Sequence, residues 1–188
     1  MSNELDKYID RLYAATDQLA RAVESTVSAL AKNASDPPVP PLEPHQRDAA
    51  FSESLYLLIH FTDRVVVQAL RESGLDADDG AAMVVLINRK AMEAAIQRRW
   101  KVSTPHPGYS QFVADHQGAL DARFEFYLPF VAFKPGRPKG DLFWEFGKQM
   151  ARTLGHEDNF LIISGTELAA TSAIQRLDPN GFVNALLS

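Results

Sequence analysis

The sequence contains no cysteine, which excludes disulfide bonds and thiolate metal sites. The formal net charge is -5 at pH 7, whereas a general nucleic-acid binder needs a basic face for its phosphate contacts. No apolar run approaches the roughly 18 residues that a membrane-spanning helix requires. We therefore expect neither nucleic acid nor a membrane as a partner.

The sequence also lacks targeting and catalytic motifs. Residues 1–10, MSNELDKYID, have neither the basic region nor the apolar core of a signal peptide, so we expect a cytoplasmic protein. We find no HExxH, nucleophile elbow, P-loop or dinucleotide fingerprint. No cofactor is therefore expected, and whether the chain is an enzyme stays open.

The stretch from Arg47 to Gly74 organises the remaining sequence. Its apolar residues recur at helical spacing and cover a broad arc of the helical wheel: Phe51, Leu55, Leu58, Ile59, Val65, Val66, Ala69 and Leu70. The opposite arc carries a polar stripe spaced three, four and three residues apart: Glu53, Tyr56, His60 and Asp63. The pattern predicts the central helix of a bundle. It does not decide whether the stripe meets water or a partner helix.

The first 34 residues read as one long helix with a heptad seam. The seam positions alternate steps of four and three: Leu5, Ile9, Leu12, Thr16, Leu19, Val23, Thr26 and Leu30. Small and apolar flanking residues widen this face, so the helix packs either within its own bundle or against a second subunit. On this basis we expect a homodimer or a higher homo-oligomer that uses the seam.

A proline-rich connector, residues 35–46, follows the first helix. Five prolines between Ser35 and His45 rule out a helix there and favour extended chain. The connector could be a docking peptide for an aromatic groove, but a stiff spacer is the simpler interpretation. Residues 47–188 then form the core of a single domain.

The rest of the core is predicted to be helical. A third helix begins near the acidic residues 76–79 and ends near Lys101, and a fourth spans 110–133 with Pro129 kinking or ending it. Three shorter helices follow, with Asp141, Asp158 or Asn159, and Asp178 as N-caps. Gly165 could interrupt the second of them. We therefore predict an all-α bundle of about six helices.

The fourth helix carries polar residues on its apolar face. His116 and Arg123 are seven residues apart, and Tyr127 lies one turn further on. If this face meets the stripe of the second helix, Arg123 gains Glu53 or Asp63 as an acceptor, and the histidines share an interior space. We therefore take seven residues as a candidate ligand-binding set: Glu53, Tyr56, His60, Asp63, His116, Arg123 and Tyr127.

Two plainer interpretations compete with this site. The stripe could be the solvent-facing side of its helix, with the Arg123 side chain extending to the protein surface. Alternatively, the polar groups could form a buried network that only fixes the register of the helices.

The order HxxD at His60 and Asp63 reverses the ExxH of bundle metal sites, so no metal is expected. The basic loop 133–141 could bind phosphate, although it lacks P-loop spacing and reads better as a connector.

Two functions from different classes remain. The lack of catalytic motifs and the long seam favour a non-enzymatic module that binds a protein partner or itself. The alternative is a small-molecule-binding protein or enzyme with a polar pocket between the helices at 47–74 and 110–133.

Overall fold

A computed structural model describes residues 2–33, 38–74, 77–103, 106–132 and 140–187. Within these ranges the chain forms seven α-helices: α1 (Ser2–Lys32), α2 (Pro44–Ser73), α3 (Ala77–Trp100), α4 (Tyr109–Tyr127), α5 (Leu142–Thr153), α6 (Phe160–Leu177) and α7 (Pro179–Leu187). An isolated bridge between Val131 and Asp141 is the only β-type pairing among the described residues. The prediction of an all-α multi-helix bundle is confirmed.

Capping side chains begin the last three helices. Asp141 accepts hydrogen bonds from the backbone N–H groups of Phe143 and Trp144, and Asn159 accepts from those of Leu161 and Ile162. Asp178 accepts from the N–H of Gly181 at 3.0 Å. These bonds satisfy donors that lack a partner within their helix, which explains why a short polar side chain stands at each start.

Three helices differ from the sequence expectation in where they begin, end or continue. α2 begins at Pro44, because proline fits the first turn of a helix, where its missing N–H is not needed. α4 ends at Tyr127 rather than near residue 133, since a residue before proline disfavours helical backbone. α6 continues through Gly165, so the expected interruption is wrong. Of the connector, residues 34–37 lie outside the described ranges and 38–43 have no regular secondary structure.

The chain divides into two compact units. Unit 1 comprises residues 1–14, 55–125 and 177–188, and unit 2 comprises residues 15–54 and 126–176. In unit 1 the ring of Tyr8 stacks on Phe182 with centroids 4.3 Å apart, which joins α1 to α7. An ion pair between Arg11 and Asp178 at 3.4 Å spans the same two segments.

Unit 2 is built on the second half of α1, the start of α2, α5 and α6. Its fully buried side chains include Leu19, Val23, Phe51, Phe146 and Met150.

The middle of the α1 seam is buried within the single chain. Leu12, Thr16, Leu19 and Val23 are each no more than 1% exposed. Toward the two ends of the seam, Leu5, Thr26 and Leu30 are half-buried. This burial does not test the expected homo-oligomer, which stays a prediction.

The crossing of α5 and α6 in unit 2 depends on Gly147. A Cβ atom added there would lie 2.5 Å from the carbonyl oxygen of Ile163, closer than real side chains come. The obstacle is backbone, so relief requires the two helices to move apart. Because glycine has only a hydrogen atom in place of a side chain, the two helices can approach this closely.

We expect Gly147→Ala to lower the free energy of unfolding by about 1–3 kcal/mol, the usual cost of overpacking a core. Gly118→Ala is the matched control, because Gly118 is an exposed helical residue with no atom within 4 Å of an added Cβ. Alanine there should be neutral or stabilise slightly. Urea denaturation measures both variants, and equal stability of the two would contradict the close approach.

Candidate functional site

α2 is buried around its whole circumference in its middle. Every residue from 53 to 60 is buried, including the polar ones. Glu53 is 5%, Tyr56 4% and His60 2% exposed, and Asp63 is half-buried. The stripe is therefore not the wet face of the helix, and its polar groups are held largely out of water.

The candidate residues fall in both units. Unit 1 contains Tyr56, His60, Asp63, His116 and Arg123, whereas unit 2 contains Glu53 and Tyr127.

In unit 1 the polar face of α2 meets α4 at Tyr56 and His116. The Tyr56 hydroxyl lies 2.6 Å from His116 Nδ1, and it donates when the ring proton is on Nε2. Burial lowers the pKa of His116, against an opposing effect of Asp115, so the ring favours its neutral form. Trp100 and Phe112 pack on the same ring with centroids 5.0 and 4.6 Å away. This is a tight aromatic cluster around one polar contact.

His60 lies one turn further along α2, against a different part of α4. Its ring meets Phe124 edge-on, with centroids 4.9 Å apart and planes inclined at 75°. Burial, followed by the positive charge of Arg64, lowers the pKa of His60 from 6.5 to about 4. His60 is therefore a neutral side chain at physiological pH.

Asp63 joins α2 to α3. The amide Nδ2 of Asn88 donates to Asp63 Oδ1 at 2.6 Å, and Asn88 is only 9% exposed. Burial raises the pKa of Asp63, while the hydrogen bond from Asn88 and the charge of Arg64 act in the opposite direction. The carboxylate is thus partly desolvated, and the hydrogen bond from Asn88 and the charge of Arg64 do not fully offset the effect of burial.

Asp63 and Asn88 line a groove of about 630 Å³, which we call the α3–α4 groove. Half of its lining residues are apolar: Val84, Val85, Val113, Ala114, Leu120 and Phe124. The other half are polar: Asp63, Asn88, Arg89, Ser110, Gln117 and Asp121. The volume lies in the range of small-molecule sites, roughly 300–1,000 Å³.

The rim of the groove is polar and largely paired. Arg89 forms an ion pair with Glu93 at 2.8 Å, and Gln117 donates to Asp121 at 2.8 Å. Arg89 and Asp121 are both exposed. Within the described part of the chain, Asp63 is the one member of the candidate set that lines this groove.

The two candidate residues of unit 2 are buried in different surroundings. Thr153 Oγ1 donates to Glu53 Oε1 at 3.4 Å, which joins α2 to α5. Tyr127 is fully buried, and its ring packs against Phe126 and Phe146 with centroids 5.1 and 6.5 Å away. Both residues act as parts of the unit 2 core.

Some expectations are not decided by this geometry. Arg123 is half-buried on α4, and its pairing with Glu53 or Asp63 stays a prediction, as does a space shared by His60 and His116. Residues 133–139 of the basic loop lie outside the described ranges. In the described ranges, no three His, Asp or Glu side chains are grouped as metal ligands would be. No helix described is long and apolar enough to span a bilayer.

Asn88 was missed from the sequence, although a signal for it exists. Val84, Asn88, Ala91 and Ala95 are spaced four, three and four residues apart and are all buried. One amide on an otherwise apolar stripe indicates a buried hydrogen-bonding partner.

Comparisons with protein-family models, curated proteins and solved structures found no match to this chain.

The neutral, buried His60 predicts a pH dependence of stability. The unfolded chain binds a proton at His60 below about pH 6.5, whereas the folded chain does so only below about pH 4. Between these values the unfolded state binds more protons. We therefore expect this histidine to lower the free energy of unfolding, by about 3 kcal/mol in total, as pH falls through that window.

Urea denaturation from pH 7 to pH 4 measures this contribution. His60→Gln should flatten the profile, because glutamine does not titrate. His45→Gln is the control, since the His45 side chain is 75% exposed and the slope should persist. Parallel profiles for wild type and His60→Gln would show that His60 titrates normally in the fold.

Proposed function

We propose that this protein binds a small organic molecule in the α3–α4 groove. The supporting observation is that a groove with six apolar lining residues contains one half-buried carboxylate hydrogen-bonded to a buried amide. Small-molecule sites combine apolar walls with a few fixed polar groups in this way. The proposal is for binding alone, because the Tyr56–His116 pair is not among the residues that line the groove.

The sequence favoured an interaction module over a small-molecule site, and two observations change that balance. The middle of the α1 seam, which suggested self-association, is buried within one chain. The polar stripe of α2 is also buried and ends at Asp63, beside the groove. The groove differs from the expected pocket in one respect, since α3 supplies one wall in addition to α2 and α4.

Filling the groove tests the proposal. A small-fragment library screened by two-dimensional NMR should yield compounds that shift amide resonances of α3 and α4 together. In Ala114→Trp the indole would occupy the groove, so the affinity for these compounds should fall by at least about tenfold. A tenfold fall corresponds to the loss of one hydrogen bond, or to about two methylene groups that are no longer buried. Ala122→Trp on the same helix is the control, because Ala122 is exposed and outside the lining.

An unchanged affinity in Ala114→Trp would place the bound fragments elsewhere on the molecule. A screen in which no fragment shifts the α3 and α4 resonances would contradict small-molecule binding in this groove.

A second candidate function is self-association or protein binding through α6. Leu161 and Leu168 lie seven residues apart on one face of α6 and are 57% and 74% exposed. Phe160, at 63%, is exposed beside them. Large apolar side chains grouped on a surface are typical of interaction sites. This supports the interaction module that the sequence favoured, with a different helix as its contact surface.

Light scattering at micromolar concentration tests this second candidate. We expect a dimer that Leu161→Glu/Leu168→Glu converts to a monomer, because two charges would be desolvated in the contact. Leu187→Glu is the control, since Leu187 is 45% exposed and belongs to unit 1. A wild-type monomer, or a dimer that survives the double substitution, would rule out self-association through α6.

A further inference from the structure

Asp63 and Asn88 give the α3–α4 groove more hydrogen-bond acceptors than donors. The contact between Asn88 Nδ2 and Asp63 Oδ1 uses one amide hydrogen and one carboxylate oxygen. Two acceptors, Asp63 Oδ2 and Asn88 Oδ1, then remain beside one donor, the second hydrogen of Asn88 Nδ2. Among the described residues the structure gives neither oxygen a further hydrogen bond. A ligand group that reaches this pair therefore finds acceptors in excess of donors.

The charge balance of the groove favours a cation. Its lining contains two carboxylates, Asp63 and Asp121, and one cation, Arg89, which is already paired with Glu93. Arg64, outside the lining, also acts on Asp63, but its charge is outweighed by the effect of burial. The Asp63 carboxylate is half-buried, and burial raises its pKa because the charged form is poorly solvated there. A positive charge delivered to this point would replace the missing solvation, whereas an anion would be repelled.

The remaining surface requires an apolar body. Val84 and Leu120 are buried beneath the groove, while Val113 and Phe124 are half-buried along its wall. The volume of about 630 Å³ exceeds that of a simple ammonium ion and suits a molecule of drug-like size. Charge and apolar surface are thus combined in one site.

We infer that the α3–α4 groove selects a primary organic amine, whose ammonium N–H groups donate to Asp63 Oδ2 and Asn88 Oδ1 while its apolar body lies against Val113 and Phe124. The inference rests on the proposed function, since it names the ligand class for the same groove. The N–H donors matter as well as the charge, because a quaternary ammonium offers no hydrogen to either acceptor.

Four probes of similar shape separate these contributions: 2-phenylethylamine, 2-phenylethanol, 3-phenylpropanoate and trimethyl(2-phenylethyl)ammonium. Affinities are measured by two-dimensional NMR titration of the full chain. We expect the primary amine to bind at least about tenfold more tightly than the alcohol, the usual effect of a hydrogen bond to a charged group. The anion should bind more weakly than the alcohol, and the quaternary ion more weakly than the primary amine.

Single substitutions test whether Asp63 is responsible for the preference for the amine. Asp63→Asn keeps the shape but removes the charge, so it should abolish the preference for the amine and leave the affinity for 2-phenylethanol within about twofold, less than one hydrogen bond contributes. Asp115→Asn is the control, because this exposed carboxylate on the same helix as Phe124 lies outside the lining of the groove, and the preference should persist. Binding of 2-phenylethanol also shows that each variant is folded.

The outcomes separate the two proposals. Equal affinities of the amine and the alcohol, or an amine preference unchanged in Asp63→Asn, would overturn the inference and leave small-molecule binding in place. If none of the four probes shifts resonances of the groove, both the ligand class and the proposed function are contradicted.

Discussion

The desolvation of α2 is the constraint on which the structure depends. Ten successive side chains, from 51 to 60, are buried with the single exception of the half-buried Ser52. The polar groups of Glu53, Tyr56 and His60 within this run need hydrogen-bond partners, because burying an unsatisfied polar group costs several kcal/mol. Thr153 is such a partner for Glu53, and His116 for Tyr56. Burial has a further effect on His60, since it lowers the pKa and keeps the imidazole neutral.

The same constraint places the candidate ligand site at Asp63. Along the stripe, exposure rises from the buried His60 to the half-buried Asp63, and there the α3–α4 groove begins. A carboxylate is tolerated at this point because Asn88 donates to it and one oxygen remains accessible for a further donor. Phe124 connects the two environments, since its ring contacts His60 and also lines the groove. The buried polar residues of α2 and the candidate ligand site thus lie next to each other along one helix.

Local chemistry made most of the helices predictable. Asp141, Asn159 and Asp178 were identifiable as caps, because a short polar side chain before an apolar run satisfies N–H groups only a few residues away. Gly155 was likewise identifiable as the residue that follows α5, and it adopts a positive φ of 80°. The continuity of α6 through Gly165 was not predictable, because that glycine lies against Thr26, far away in the sequence.

The site was less predictable than the helices for the same reason. Periodicity placed Tyr56, His60 and Asp63 on one face, but the residues that cover them, such as His116 and Phe124, come more than fifty positions later. Only the tertiary fold decides whether such a face meets water. The groove itself depends on Asn88, whose helix carried no catalytic or binding motif.

Native-state hydrogen exchange tests most directly whether the fold depends on the buried middle of α2. Amides of residues 53–60 should exchange only through global unfolding, with opening free energies equal to the full stability of the protein, because every side chain there is buried. Exposed ends such as residues 71–74 should exchange far faster. If residues 53–60 open at a lower free energy than α5 or α6, the buried helix is not the element that holds the fold together.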